Sequence, residues 1–144
     1  MSTRSESQQL ALSNRRNKGL DDASTNDPGF YCQGKVGEFI GYYIRCEVLS
    51  TKLQHFYQTD KQNKQTGLNT KFLNEALIHF NLHFDNDTLI RLFQGGSGKR
   101  GKKSARQLRN GYLHNLAKSD KDEININAKY FISEMKKFLK LRIT

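Results

Sequence analysis

No stretch of about 18 apolar residues occurs in the sequence, which excludes a helical membrane span. Nor do the first 30 residues, MSTRSESQQLALSNRRNKGLDDASTNDPGF, hold the apolar run of about 7–15 that a secretory signal needs. Apolar residues are scarce throughout, at 35% against the ~45–50% usual for globular domains. Part of the chain is therefore expected to stay outside the core. Two cysteines, Cys32 and Cys46, are too few for a disulfide framework. Placed on one helix, they stand about 21 Å apart at ~1.5 Å per residue, well beyond the ~7 Å limit between bridged Cα atoms. A reduced, cytoplasmic setting is the expectation. The 144 residues are still enough for one domain that buries roughly two-thirds of its unfolded surface without metals or disulfides.

Acidic residues are missing where basic ones are densest. The formal charge is +10, from 24 Lys and Arg against 14 Asp and Glu. Residues 95–118 hold Lys99, Arg100, Lys102, Lys103, Arg106, Arg109 and Lys118 and no acid at all. Such a block implies a polyanionic partner or a solvated basic segment. For GGSGKRGKKS alone the second reading serves as well, because glycine and lysine together favour disorder. The segment that follows is strongly patterned for helix.

Alternation of period two does not extend beyond Ile124-Asn125-Ile126, which argues against a sheet, and no internal repeat is visible. Residues 1–29 are rich in Ser, Asn, Asp and Arg, with apolar content mainly at Leu10, Ala11, Leu12 and Leu20. They are expected to form a flexible N-terminal tail with at most one short helix, ahead of a helical domain over 30–144. In that domain Val36, Phe39, Ile40, Tyr43, Cys46, Leu53 and Phe56 recur at helical spacing and predict a long amphipathic helix from about Tyr31 to Tyr57. Gly34, Gly37 and Gly41 either weaken its first half or allow another helix to approach closely.

A second helix is expected from Thr70 to His83, with Phe72, Leu73, Ala76, Leu77 and Phe80 on one face. A short one capped by Asp85 or Asp87 should run through Phe93. The glycine-rich basic loop leads into a helix over Lys102–Lys118. Asp120 and Glu123 then resemble a capping box for a last helix carrying Ile124, Ala128, Phe131, Met135 and Phe138. The fold class read from these elements is all-α, a bundle of four or five helices.

Two local patterns carry little. Gly96–Lys102 matches the first seven positions of a phosphate-binding loop, but Lys103 stands where a magnesium-ligating Ser or Thr belongs and no buried strand precedes it. His79 and His83 have a spacing that can bind a metal, yet no Glu follows His79 and no third ligand is evident. No metal or other cofactor is implied.

The segment 102–118 carries more. At ~100° per residue on a helix, Arg106, Asn110, His114 and Lys118 fall within about 60° of Lys103. Ala105, Leu108, Tyr112 and Leu116 fall on the opposite side, and Arg109 lies beside the cationic stripe. One flank is thus apolar, and the other carries cations with an amide and an imidazole at its centre. Asn110 and His114 are i,i+4 neighbours, so the amide can orient the ring. Gly111 leaves room near His114. With no carboxylate in the segment, the stripe sets up a positive field suited to a phosphodiester. A solvated basic face that happens to include a histidine is the plain alternative.

Arg109-Asn110-Gly111-Tyr112-Leu113-His114 resembles the R-polar-x-x-x-H signature of the HEPN-domain ribonucleases. The resemblance spans about residues 31–141. It implies a HEPN-like helical bundle and a metal-independent endoribonuclease, with two copies of the signature lining one cleft of a homodimer. Carried over, His114 is the general acid/base. Arg109 holds the scissile phosphate, and Asn110 positions His114 or the sugar. Lys99, Arg100, Lys102, Lys103, Arg106 and Lys118 bind the RNA backbone. The products would be a 2′,3′-cyclic phosphate and a 5′-hydroxyl, with DNA spared. The family setting implies a toxin of a toxin–antitoxin or antiviral system, with an antitoxin or regulatory partner. A family branch that modifies nucleic acid has Tyr two residues after the His; Leu116 stands there. Because Arg109 and His114 lie about 140° apart on one helix, either the arginine wraps round or a second chain completes the pair. A non-catalytic helical module that binds nucleic acid through the same stripe, or a scaffold bundle, is the alternative function.

Overall fold

The computed structural model describes residues 4–25, 34–62, 67–95 and 102–143. Among them the chain forms six helices and no strand: α1 Glu6–Thr25, α2 Gly34–Lys61, α3 Thr70–His79, α4 Asn86–Phe93, α5 Ala105–Asn115 and α6 Lys118–Phe138. The all-α class holds. None of the helices is long and apolar enough to cross a membrane. Cys32 and most of the glycine-rich basic loop, with Lys99 and Arg100, lie outside the described residues.

α2 is the axis of the fold and packs against α1, α3, α5 and α6. Phe39, Ile40, Tyr43, Cys46, Leu49 and Leu53 are completely buried along it, each large one contributing about 1.5–3 kcal/mol on transfer from water. Tyr42, Ile44, Phe56 and Tyr57 pack on the same core from its other sides. A helix enclosed by several neighbours has no single apolar stripe, which is why Leu49 adds to the expected set. Aromatic rings lock the layers: Phe39 meets Phe131 of α6 edge-on at 5.4 Å, and Phe93 of α4 lies 5.0 Å from Phe138. A side chain at Gly34 or Gly41 would meet open space, so no close helix approach explains those two glycines.

Within the tail expected over 1–29, Glu6–Thr25 form a 20-residue helix, α1, longer than the one short helix expected there. Polar contacts dock it. Arg16 is buried and donates through both terminal nitrogens to Asp60 on α2, at 3.0 and 2.8 Å, while its guanidinium lies over Phe56 and Phe80. Asn17 exchanges two hydrogen bonds with the backbone of Ile143, at 2.7 and 2.8 Å. Leu20 and Ala23 complete the inward face. Hydropathy missed this helix because an arginine and an asparagine occupy docking positions.

The shorter helices follow their caps. Asn69 accepts from the Phe72 amide at 3.0 Å, and Asp85 accepts from the Thr88 amide at 3.0 Å. Asp85 is thus the cap of α4, one of the two expected candidates. α3 ends at His79, one turn before the expected His83.

Candidate active site

α5 carries Arg109, Asn110 and His114, and its N-cap sets its position. Ser104 accepts from the Gln107 amide at 3.1 Å, while the Gln107 side chain accepts from the Ser104 amide at 2.9 Å. The box is reciprocal, and the Ser104 hydroxyl also donates to the Gln94 carbonyl at the end of α4. Ala105 and Leu108 are fully buried, and Tyr112 and Leu113 pack partly on the core. The apolar flank faces inward as the spacing requires.

The helix is nonetheless shorter than 102–118. It ends at Asn115, with Leu116 in the left-handed region at φ 47°, and α6 starts two residues later. Lys103 therefore precedes α5, and Lys118 opens α6. A single helical stripe joining them does not form. Leu116, assigned to the buried flank, is 72% exposed.

The absence of neutralising carboxylates is also corrected. Lys103 Nζ donates to Asp120 Oδ1 at 2.7 Å, and Arg109 Nη2 donates to Glu47 Oε2 at 2.7 Å. Both acids come from outside the basic segment, from α6 and α2. Arg106 is half-buried and donates to the carbonyls of Leu68 and Phe93, at 3.0 and 3.4 Å. Its guanidinium supports the fold more than the surface. Lys102 and Lys118 are exposed, with no hydrogen bond or ion pair to any described residue.

Asp120 does not cap α6, whose N-cap is Ala117. It sits in the first helical turn, where the helix dipole favours an anion, and its side chain is largely buried between Lys103 and Gly111. A Cβ on Gly111 would collide with the Asp120 carboxylate. The glycine therefore serves the α5–α6 contact rather than opening space near His114.

Arg109 lies with its guanidinium 5.0 Å from the centre of the Tyr43 ring, and only 18% of its side chain is exposed. Its Nε is buried without a partner, an unsatisfied donor of the kind that an incoming acceptor would relieve. The Tyr43 hydroxyl donates to Glu47 at 3.4 Å. Burial pushes the Tyr43 phenol well above its ordinary pKa, the Glu47 charge adds to this, and Arg109 opposes it. Tyr43 and Glu47 thus form a bracket for Arg109 that no local pattern in the sequence marked.

His114 occupies the last turn of α5 and is exposed, and neither it nor the half-buried Asn110 makes a side-chain hydrogen bond with any described residue. The structure keeps the imidazole free at the surface and draws Arg109 toward α2. It brings Arg109 together with Glu47 and Tyr43, and Lys103 with Asp120, rather than assembling one continuous stripe. His79, the other histidine of interest, bonds to Asp60 at 3.0 Å. Among the described residues no group of three or more His, Cys, Asp or Glu side chains could hold a metal ion.

Comparison with known proteins gives no match: no family model fits the chain, and no curated protein or solved structure is significantly similar to it.

Proposed function

We propose that this protein is a metal-independent endoribonuclease of the HEPN type. The observation that carries the reading is the position of His114. The ring is exposed and unpartnered in the last turn of α5, on the helix that also bears Arg109 and Asn110. An imidazole can take the proton from a ribose 2′-hydroxyl and return one to the departing 5′-oxygen. The 2′-oxygen then bonds to phosphorus as the bond to the 5′-oxygen breaks, leaving a 2′,3′-cyclic phosphate and a 5′-hydroxyl. Arg109 binds the phosphate through guanidinium edges not held by Glu47. Asn110 contacts the sugar or the ring. Lys99, Arg100, Lys102 and Lys118 contribute sequence-independent attraction for the RNA backbone.

Arg109 is bracketed by Glu47 and Tyr43, and this favours a working pair completed by a second copy of the chain, with His114 of one protomer facing Arg109 of its partner. The physiological reading that accompanies this activity is a cytoplasmic toxin of a toxin–antitoxin or antiviral system, held in check by an antitoxin or regulatory partner. Incubation with total RNA in EDTA tests the proposal. Fragments ending in cyclic phosphate and beginning with 5′-hydroxyl are expected, and intact RNA would contradict it. The same Arg109 bracket also suits a non-catalytic module that binds nucleic acid, in which case RNA is retained but never cut.

A further inference from the structure

Away from α5, an open groove of about 500 Å³ lies between the end of α1, the first half of α2 and the C-terminal end of α6. Its lining consists of Ser24, Tyr42, Lys136, Leu139, Lys140 and Arg142. That volume lies within the ~300–1,000 Å³ range of small-ligand sites. None of the lining residues is acidic, and three are cationic.

The three cations differ in what they can do. Arg142 is already committed: it donates to Asp21 at 2.7 Å, to the carbonyls of Leu139 and Leu141 at 2.8 and 2.7 Å, and to the Ser24 hydroxyl at 3.0 Å. It is a fixed wall that ties the C-terminal segment to α1. Lys136 and Lys140 are exposed and make no side-chain hydrogen bond or ion pair with any described residue. Lys136 lies in the last turn of α6, where a cation complements the helix dipole. Lys140 lies beyond the helix end, where that role is weaker.

Tyr42 supplies the apolar element. Its ring is half-buried, with the Lys136 ammonium and the Arg45 guanidinium lying over it, each 5.4 Å from its centre, so a base reaches the ring as the exposed Lys136 side chain swings out to the phosphate. An aromatic face flanked by cations is the arrangement by which proteins hold a nucleotide: the base stacks on the ring while ammonium groups meet the phosphate.

We propose that this groove binds a nucleoside 5′-phosphate, with Tyr42 stacking the base and Lys136 and Lys140 holding the phosphate. The site is separate from α5, which contributes none of its lining, and it does not depend on the ribonuclease reading. The ligand can be a free nucleotide or one unit of an RNA strand, since both present a base beside a phosphate.

Calorimetric titration of the full chain with AMP, with inorganic phosphate and with a short 2′-O-methyl oligoribonucleotide tests this. Binding of AMP identifies a free nucleotide, whereas oligonucleotide binding that is weakened in the Lys136→Gln/Lys140→Gln variant, without AMP binding, identifies a strand. In either case the affinity is expected to fall about tenfold in a Lys136→Gln/Lys140→Gln variant and to stay unchanged in Lys71→Gln, an exposed lysine of α3. Tyr42→Leu should weaken AMP while leaving any phosphate binding unaltered. The two lysines are exposed, so their loss leaves the fold intact, which circular dichroism verifies. The proposal is overturned if neither nucleotide ligand binds, if the double variant binds as the wild type does, or if phosphate binds as tightly as AMP.

Discussion

Replacing Gly111 with alanine places a methyl group 3.0 Å from Asp120 Cγ and closer still to Oδ2. Asp120 cannot easily yield, because it is 5% exposed in the first turn of α6 and held by Lys103 at 2.7 Å. Overpacking of this kind costs about 1–3 kcal/mol. Turning the carboxylate away also loses an ion pair whose lysine is 53% exposed, which adds less than about 1 kcal/mol. Against this, Gly→Ala inside a helix gains about 1 kcal/mol. The net expectation is a loss of about 1–2 kcal/mol. In an Asp120→Ala background the obstructing atoms are gone, and the same substitution should stabilise by about 1 kcal/mol. The sign therefore reverses between backgrounds, with a coupling of about 2–3 kcal/mol, as expected for groups in direct contact. Urea unfolding followed by circular dichroism measures all four proteins. Equal stabilisation by Gly111→Ala in both backgrounds would refute the α5–α6 contact described above.

Other consequences are as specific. Arg16→Ala leaves Asp60, 13% exposed, with His79 as its main remaining partner, and should cost about 2–3 kcal/mol, less than the loss of a fully enclosed pair; urea unfolding reads it, and an unchanged midpoint would mean that α1 is not docked through this bond. Burial pushes the Asp60 carboxyl up, but hydrogen bonds from Arg16 and His79 more than offset it, so its pKa lies below the usual carboxylate value. The stability that Asp60 contributes is therefore present above the unfolded pKa of ~3.9 and is lost as pH falls through the lower folded value. Asp60→Asn should flatten the acid limb of the stability profile, and a profile parallel to wild type would show that Asp60 is not the group responsible. Glu47→Gln removes the charge that neutralises Arg109, so RNA affinity in filter binding should rise several-fold at low salt and depend more steeply on salt. Identical salt curves would mean that Arg109 does not meet phosphate.

The residue spacing disclosed most of the core and several helix ends. The Asp85 cap, the inward face of α5 and the regular repeat from Ile124 to Phe138 all rest on local rules, in which neighbours at three and four positions decide the outcome. What was hidden depended on distant partners. Glu47 reaches Arg109 across 62 residues, and Asp120 reaches Lys103 across 17, so a count of charges within 95–118 could not show that two of its cations are neutralised. α1 was hidden for a related reason: Arg16 is buried because Asp60 lies 44 residues away to receive it. At the candidate site, the exposure of His114 followed from its place opposite Ala105 on the helix, but the path of the Arg109 side chain depended on α2.

Proton transfer by His114 is read most directly from the single-turnover cleavage rate of RNA in EDTA by wild type and His114→Ala, compared at protein concentrations that give equal RNA binding. The wild type is expected to cut, while His114→Ala binds equally well and is slower by at least about a hundredfold, the usual contribution of a proton-transfer group. Equal rates for the two proteins, or no cleavage by either, would contradict this role.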